Sequence, residues 1–194
     1  MSLELLNALA SLLTVCIIAA TAIAAIVQLR HLRAGNQIAA MLAIGEELSD
    51  QRFRDANRMI VEQYTKLADD VEFRAYNFAR DSGAQAKLDP DFEEVRRAIS
   101  FVCNAYEELG ILVKNGIVDK ELFLDRYSWV IFGMWRRIDK AVADARHDTG
   151  QAAVWENFEY LAVLSEAWLR DHPSAYPKGV ARMTLPERPP LKSP

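Results

Sequence analysis

Hydrophobic and polar residues alternate along this chain in two regimes. From Leu5 to Leu29 there is no charged residue, a run of 25 whose polar side chains are Asn7, Ser11, Thr14, Thr21 and Gln28. At ~1.5 Å rise per residue such a run makes a helix roughly 37 Å long, and about 20 residues suffice to cross a bilayer. The run therefore predicts a transmembrane helix over 5–29, preceded by a short external N-terminus, 1–4. A cleaved signal peptide would carry basic residues before a shorter apolar stretch. This N-terminal flank has Glu4 and no Lys or Arg. Arg30, His31 and Arg33 follow the run, and no acid appears until Glu46. Positive flanks stay cytoplasmic. The expected placement is a single pass in a bacterial inner (cytoplasmic) membrane, N-terminus outside and residues 30–194 inside. The lipid bilayer is then the first partner. Ala20 and Ala24 lie four apart, as do Thr21 and Ala25, a spacing that lets helices approach closely in lipid. These four are candidate interaction residues.

After the run the pattern becomes amphipathic. Apolar residues recur mostly three or four positions apart from Ile38 to Val71, one stripe on a helix. Gly35-Asn36 is a candidate kink, and Ser49-Asp50 a candidate cap dividing this stretch in two; a helix continuous from membrane to cytoplasm is equally readable. Asp81-Ser82-Gly83 closes a helix, and Asp89-Pro90 opens the next. Phe92, Val95, Ile99, Val102, Tyr106, Leu109 and Val113 then form a narrow seam suited to packing against other helices. Ile99, Val102 and Tyr106 should be buried, with Glu93, Arg96 and Arg97 towards solvent. Asn115-Gly116 stops this helix, Asp119 caps a further one ending near Gly150, and a last helix runs to His172-Pro173. No alternating segment of strand length stands out. The fold class expected is all-α: the transmembrane helix, a four- or five-helix cytoplasmic bundle over 30–172, and an extended tail over 173–194. That tail holds six of the seven prolines. Its Tyr176, Val180, Met183 and Leu185 are candidate docking side chains for a protein partner.

Composition narrows the function. The formal net charge is −4 and the pI near 5.5, which argues against a generally basic nucleic-acid binder. Cys16 and Cys103 are too few for a disulfide scaffold. There is no glycine-rich phosphate loop, no HExxH and no Glu-x-x-His pair. No catalytic residue, metal ligand or cofactor is assigned. The densest polar and aromatic constellation joins Asn104, Tyr106, Glu107 and Glu108 with Trp135, Arg136, Arg137, Trp155, Glu156, Asn157 and Tyr160. Within it Asn104, Glu108, Arg136, Arg137 and Trp155 form a candidate buried polar cluster. Its plain reading is interhelical pairing of Glu108 with Arg136 or Arg137; its catalytic reading is a carboxylate made basic by burial. The favoured function is non-enzymatic: an accessory or scaffold subunit of a bacterial membrane complex, with a protein partner or a homo-oligomer. The alternatives are a membrane-tethered signalling or effector module and, less favoured, a carboxylate-dependent enzyme.

The stretch Asn104-Ala-Tyr-Glu-Glu-Leu-Gly-Ile-Leu, then Gly116-Ile-Val, Trp135, Arg146 and Phe158-Glu-Tyr-Leu, resembles an uncharacterised bacterial family. Its members are single-pass membrane proteins with a helical cytoplasmic domain of unknown function. The resemblance covers about residues 5–170, most specifically 104–161, and leaves out the Pro-rich tail. It implies a topology and a fold, and no catalytic residue.

Overall fold

In the computed structural model, residues 3–83, 89–174, 176–177 and 179–186 are described. Among them the chain forms six helices and no strand. Helix α1 spans Leu3–Leu48. α2 begins as Gln51–Met59, passes through one π turn, Ile60–Tyr64, and ends in Thr65–Leu67. α3 is Val71–Asp81, α4 Pro90–Lys114, α5 Lys120–Thr149 and α6 Glu156–Asp171.

Aspartate caps set most of these boundaries. The carboxylates of Asp50, Asp70, Asp89 and Asp119 accept backbone N–H bonds from the first turns of α2, α3, α4 and α5. Each satisfies donors that a helix leaves unpaired at its start. Pro90 sits at the first position of α4, where its missing N–H costs nothing. Gly150 ends α5 with φ 67°, a conformation that glycine adopts without Cβ strain. The break at Asp69-Asp70 was not expected: the apolar stripe reads straight through it, and only the Asp70 cap shows where the helix restarts. Gly35-Asn36 makes no break, and α1 runs through it to Leu48.

The seam on α4 is the centre of the core. Val95, Ile99, Val102, Tyr106, Leu109 and Val113 are buried, and Phe92 is half-buried. Phe53 of α2 meets the Tyr106 ring edge-on at 5.7 Å, and Phe158 of α6 stacks on that ring at 4.8 Å. Glu93 corrects the expected outer face of α4: it is buried, because Tyr76 of α3 covers it.

α1 has two environments on one rod. Met41 and Ile44 are buried against the domain, while residues 3–36 are all exposed, with Leu29, Leu32, Arg33 and Asn36 beside Gly116 and Ile117 of the domain. The tail residues described carry no regular structure, and Tyr176, Val180, Met183 and Leu185 are exposed there. Tyr176 donates to the Ala181 carbonyl at 2.9 Å, and Arg182 lies over its ring.

Candidate functional site

The residues of the 104–161 motif converge where α6 starts. Trp155 precedes the helix with φ 54°, strained for a non-glycine residue, and offers no side-chain cap. The cap comes from α4. Glu107 accepts from the backbone N–H groups of Asn157 and Phe158, at 2.9 and 3.0 Å, and from the Asn157 amide at 2.7 Å. A carboxylate there also meets the positive end of the helix dipole. The other end of the Asn157 amide accepts from Lys114 at 3.2 Å. Gly110, one turn beyond Glu107, lets the two backbones touch: a Cβ there would fall 2.7 Å from the carbonyl carbon of Asn157. Trp155 donates its indole N–H to Asn104 at 2.8 Å, and Arg146 holds the Val154 carbonyl at 2.9 Å and Glu159 at 2.8 Å. The motif is thus an internal clamp that pins α6 to α4 and α5.

A second polar network lies between α3 and α4. Buried Glu93 accepts from the Tyr76 hydroxyl at 2.7 Å and from Arg97 at 3.1 Å, with Arg80 at 3.6 Å. The Tyr76 bond, ahead of the opposing effect of burial, holds the Glu93 carboxyl below its ordinary range. Burial, and then that same bond, raises the Tyr76 hydroxyl. Nearby, Arg96 and Asp81 pair at 2.7 Å beside a cleft of about 190 Å³ that Asn77, Ser100, Thr149 and Trp155 also line. Small-molecule pockets typically hold ~300–1,000 Å³. Among the described residues no His, Cys, Asp or Glu cluster suits a metal ion. Cys103 is fully buried, and burial pushes its thiol up, away from the reactive thiolate.

The predicted buried cluster does not assemble. Asn104, Glu108, Arg136 and Arg137 are exposed, and Trp155 is half-buried. Of the five, only Asn104 and Trp155 meet. Glu108 makes no ion pair with Arg136 or Arg137 among the described residues, and Arg137 turns back to the Gly133 carbonyl of its own helix. The reason is phase. Glu107 lies one position, about 100°, closer to α6, so the inward role falls to it rather than to Glu108. Gly110 escaped the sequence reading as well. Its signal was a glycine inside a strong helical seam, which costs about 1 kcal/mol against alanine and calls for a packing reason.

The largest unsatisfied surface is α1 itself. Its apolar window has mean hydropathy 2.5 and is 0% buried, with Leu12, Leu13, Ile18 and Ile23 each more than 60% exposed. A soluble core helix would be covered. Ala20, Ala24, Thr21 and Ala25 lie on this open rod.

These features define an all-helical protein in which a helical domain is carried on one N-terminal helix long and apolar enough to cross a membrane. The chain belongs to the family DUF4760, a domain of unknown function, whose model matches residues 15–165. That span takes in residues 15–29 of the apolar run, the whole α4–α6 clamp, and none of the tail. Comparison with characterised proteins and with solved structures finds no match.

Proposed function

We propose that this chain is a non-enzymatic, membrane-anchored interaction protein, an accessory or scaffold subunit of a bacterial membrane complex. One observation carries the reading: the first 34 helical residues of α1 are all exposed while its last turns dock on the domain. An aliphatic surface of that length is stable in lipid and unstable in water. The positive flank at Arg30 and Arg33 favours a domain on the cytoplasmic side. The Glu107 and Glu93 carboxylates are engaged in capping and pairing, which leaves them poorly suited to acid–base chemistry. A specific observation favours a second reading, a signalling module: α1 passes from the apolar run into the domain without a hinge, so a rotation of the anchor would reach Met41 and Ile44 directly.

Two measurements test this. A reporter active only in the cytoplasm, fused after Pro194, should be active; a well-expressed, inactive fusion refutes the orientation. Purification of the full chain from native membranes in mild detergent should bring down a stoichiometric membrane partner or a second copy. Recovery of a lone monomer refutes the scaffold role.

A further inference from the structure

We infer that two copies of this chain pair in parallel along α1, through a seam that carries every polar side chain of the apolar run. The inference rests on the membrane reading above. Asn7, Ser11, Thr14, Thr21 and Gln28 are separated by steps of four, three, seven and seven residues. Ile18 and Ala25 fill the two skipped positions, so the line alternates four and three throughout. That is the 3.5-residue period of a coiled-coil seam. The rest of the run is Ala, Val, Ile and Leu with one Cys. A helix that needed only to be apolar would have no reason to gather its polar groups on one line.

The same phase continues beyond the run. Leu32, Gly35, Ala39 and Leu42 take the next positions, and all four are exposed, the two leucines at 63%. Glu46 takes the position after them and ends the seam. The domain occupies the other side of the rod: Met41 and Ile44 are buried, and Gln37, Ala40, Gly45 and Leu48 are half-buried. At about 100° per residue the two sets face nearly opposite directions. A Cβ at Gly35 meets nothing within 4 Å, so the domain leaves this face open.

A second copy is the occupant that this chemistry fits. In a parallel pair in register, each seam residue meets its twin at the same depth. The amides of Asn7 and Gln28 both donate and accept, so each complements its own copy. Thr14 and Thr21 donate to the carbonyls of Ala10 and Ile17 at 2.9 and 2.7 Å, which satisfies each hydroxyl proton within its own helix and lets these short side chains pack at the seam without an unpaired donor. Ser11, Ala25, Gly35 and Ala39 are small enough for close approach. A strict seven-residue repeat drifts about 20° per heptad on a straight helix, so the pair must wind left-handed to stay in contact. From Asn7 to Leu42 the strip is roughly 53 Å long and about 10 Å wide. It would bury ~500 Å² on each copy, ~1,000 Å² together, which reaches the lower bound of a specific interface. The docked face of each helix, carrying Met41 and Ile44, then points away from the other copy.

Cysteine crosslinking of the full chain in phosphatidylcholine vesicles tests this, in a Cys16→Ser background that keeps buried Cys103. Alkaline extraction comes first: a chain that washes off refutes the membrane reading, and the pairing falls with it. For a chain that stays, oxidation should crosslink Ala25→Cys and Gln28→Cys at least fivefold more than Ile23→Cys and Ile26→Cys, which face away from the seam. Adding Thr14→Leu and Thr21→Leu should lower the Ala25→Cys yield at least fivefold while the chain stays membrane-bound. Equal yields at all four positions, or none at any, overturn the pairing and leave the anchor standing.

Discussion

Replacing Gly110 with alanine puts one methyl group where α4 and α6 touch. The new Cβ would lie 2.7 Å from the Asn157 carbonyl carbon and 2.8 Å from its Cβ, and closer still to its carbonyl oxygen. Most of these atoms are backbone, so the helix itself must move. Overpacking of this kind costs about 1–3 kcal/mol. If α6 shifts enough to break the Glu107 bonds to Asn157 and Phe158, a further ~1.5–3 kcal/mol is lost, as for hydrogen bonds to a charged group. Better helix propensity returns about 1 kcal/mol. The net loss is about 2–5 kcal/mol. At ~2–4 °C per kcal/mol for a chain of this size, melting should fall by roughly 4–20 °C. Gly133→Ala is the matched control, because its Cβ meets only the flexible tip of Arg137, at 3.4 Å. That variant should gain about 0.5–1 kcal/mol. Thermal melts of the full chain in detergent, followed by circular dichroism, compare the two. If both substitutions raise the melting temperature, α6 does not rest on Gly110 and the clamp is wrongly drawn.

Ile99→Ala removes a side chain that is 4% exposed and should cost about 2–5 kcal/mol, whereas Arg97→Ala, at a side chain 75% exposed, should cost under ~1 kcal/mol. Similar melting shifts for the two refute the face assignment of α4. The Glu93 carboxyl sits below its ordinary 4.5, so its contribution is present above that pH and is lost as pH falls through the lowered value. The Tyr76 hydroxyl sits above its ordinary 10.0, so its share is present below pH 10 and is lost as pH rises through the raised value. Tyr76→Phe should therefore lower denaturant midpoints between about pH 5 and 9 and flatten both limbs; profiles parallel to wild type from pH 3 to 11 refute the linkage. Deleting residues 174–194 should leave helicity and melting unchanged, because Met183 and Leu185 are more than 80% exposed. Loss of folding on truncation would make the tail part of the core.

Much of this architecture is written locally. The uncharged run from Leu5 to Leu29, the 3–4 spacing on α4 and the capping aspartates at 50, 89 and 119 each act within a few residues. Backbone hydrogen bonding and side-chain phase were therefore enough to place the starts of α1, α2, α4 and α5 and, Glu93 apart, the buried face of α4. What sequence could not settle depends on groups far apart in the chain. Glu107 and Glu108 are chemically alike, and only the approach of α6, some fifty residues later, makes the first a cap and leaves the second in water. Glu93 looks like a surface residue until Tyr76 packs over it. Gly110 looks like a weak point until the Asn157 backbone lies against it. Local periodicity determines where helices lie and which side is apolar. Tertiary packing alone decides which neighbouring polar group is desolvated, because that is set by the element that arrives on top of it.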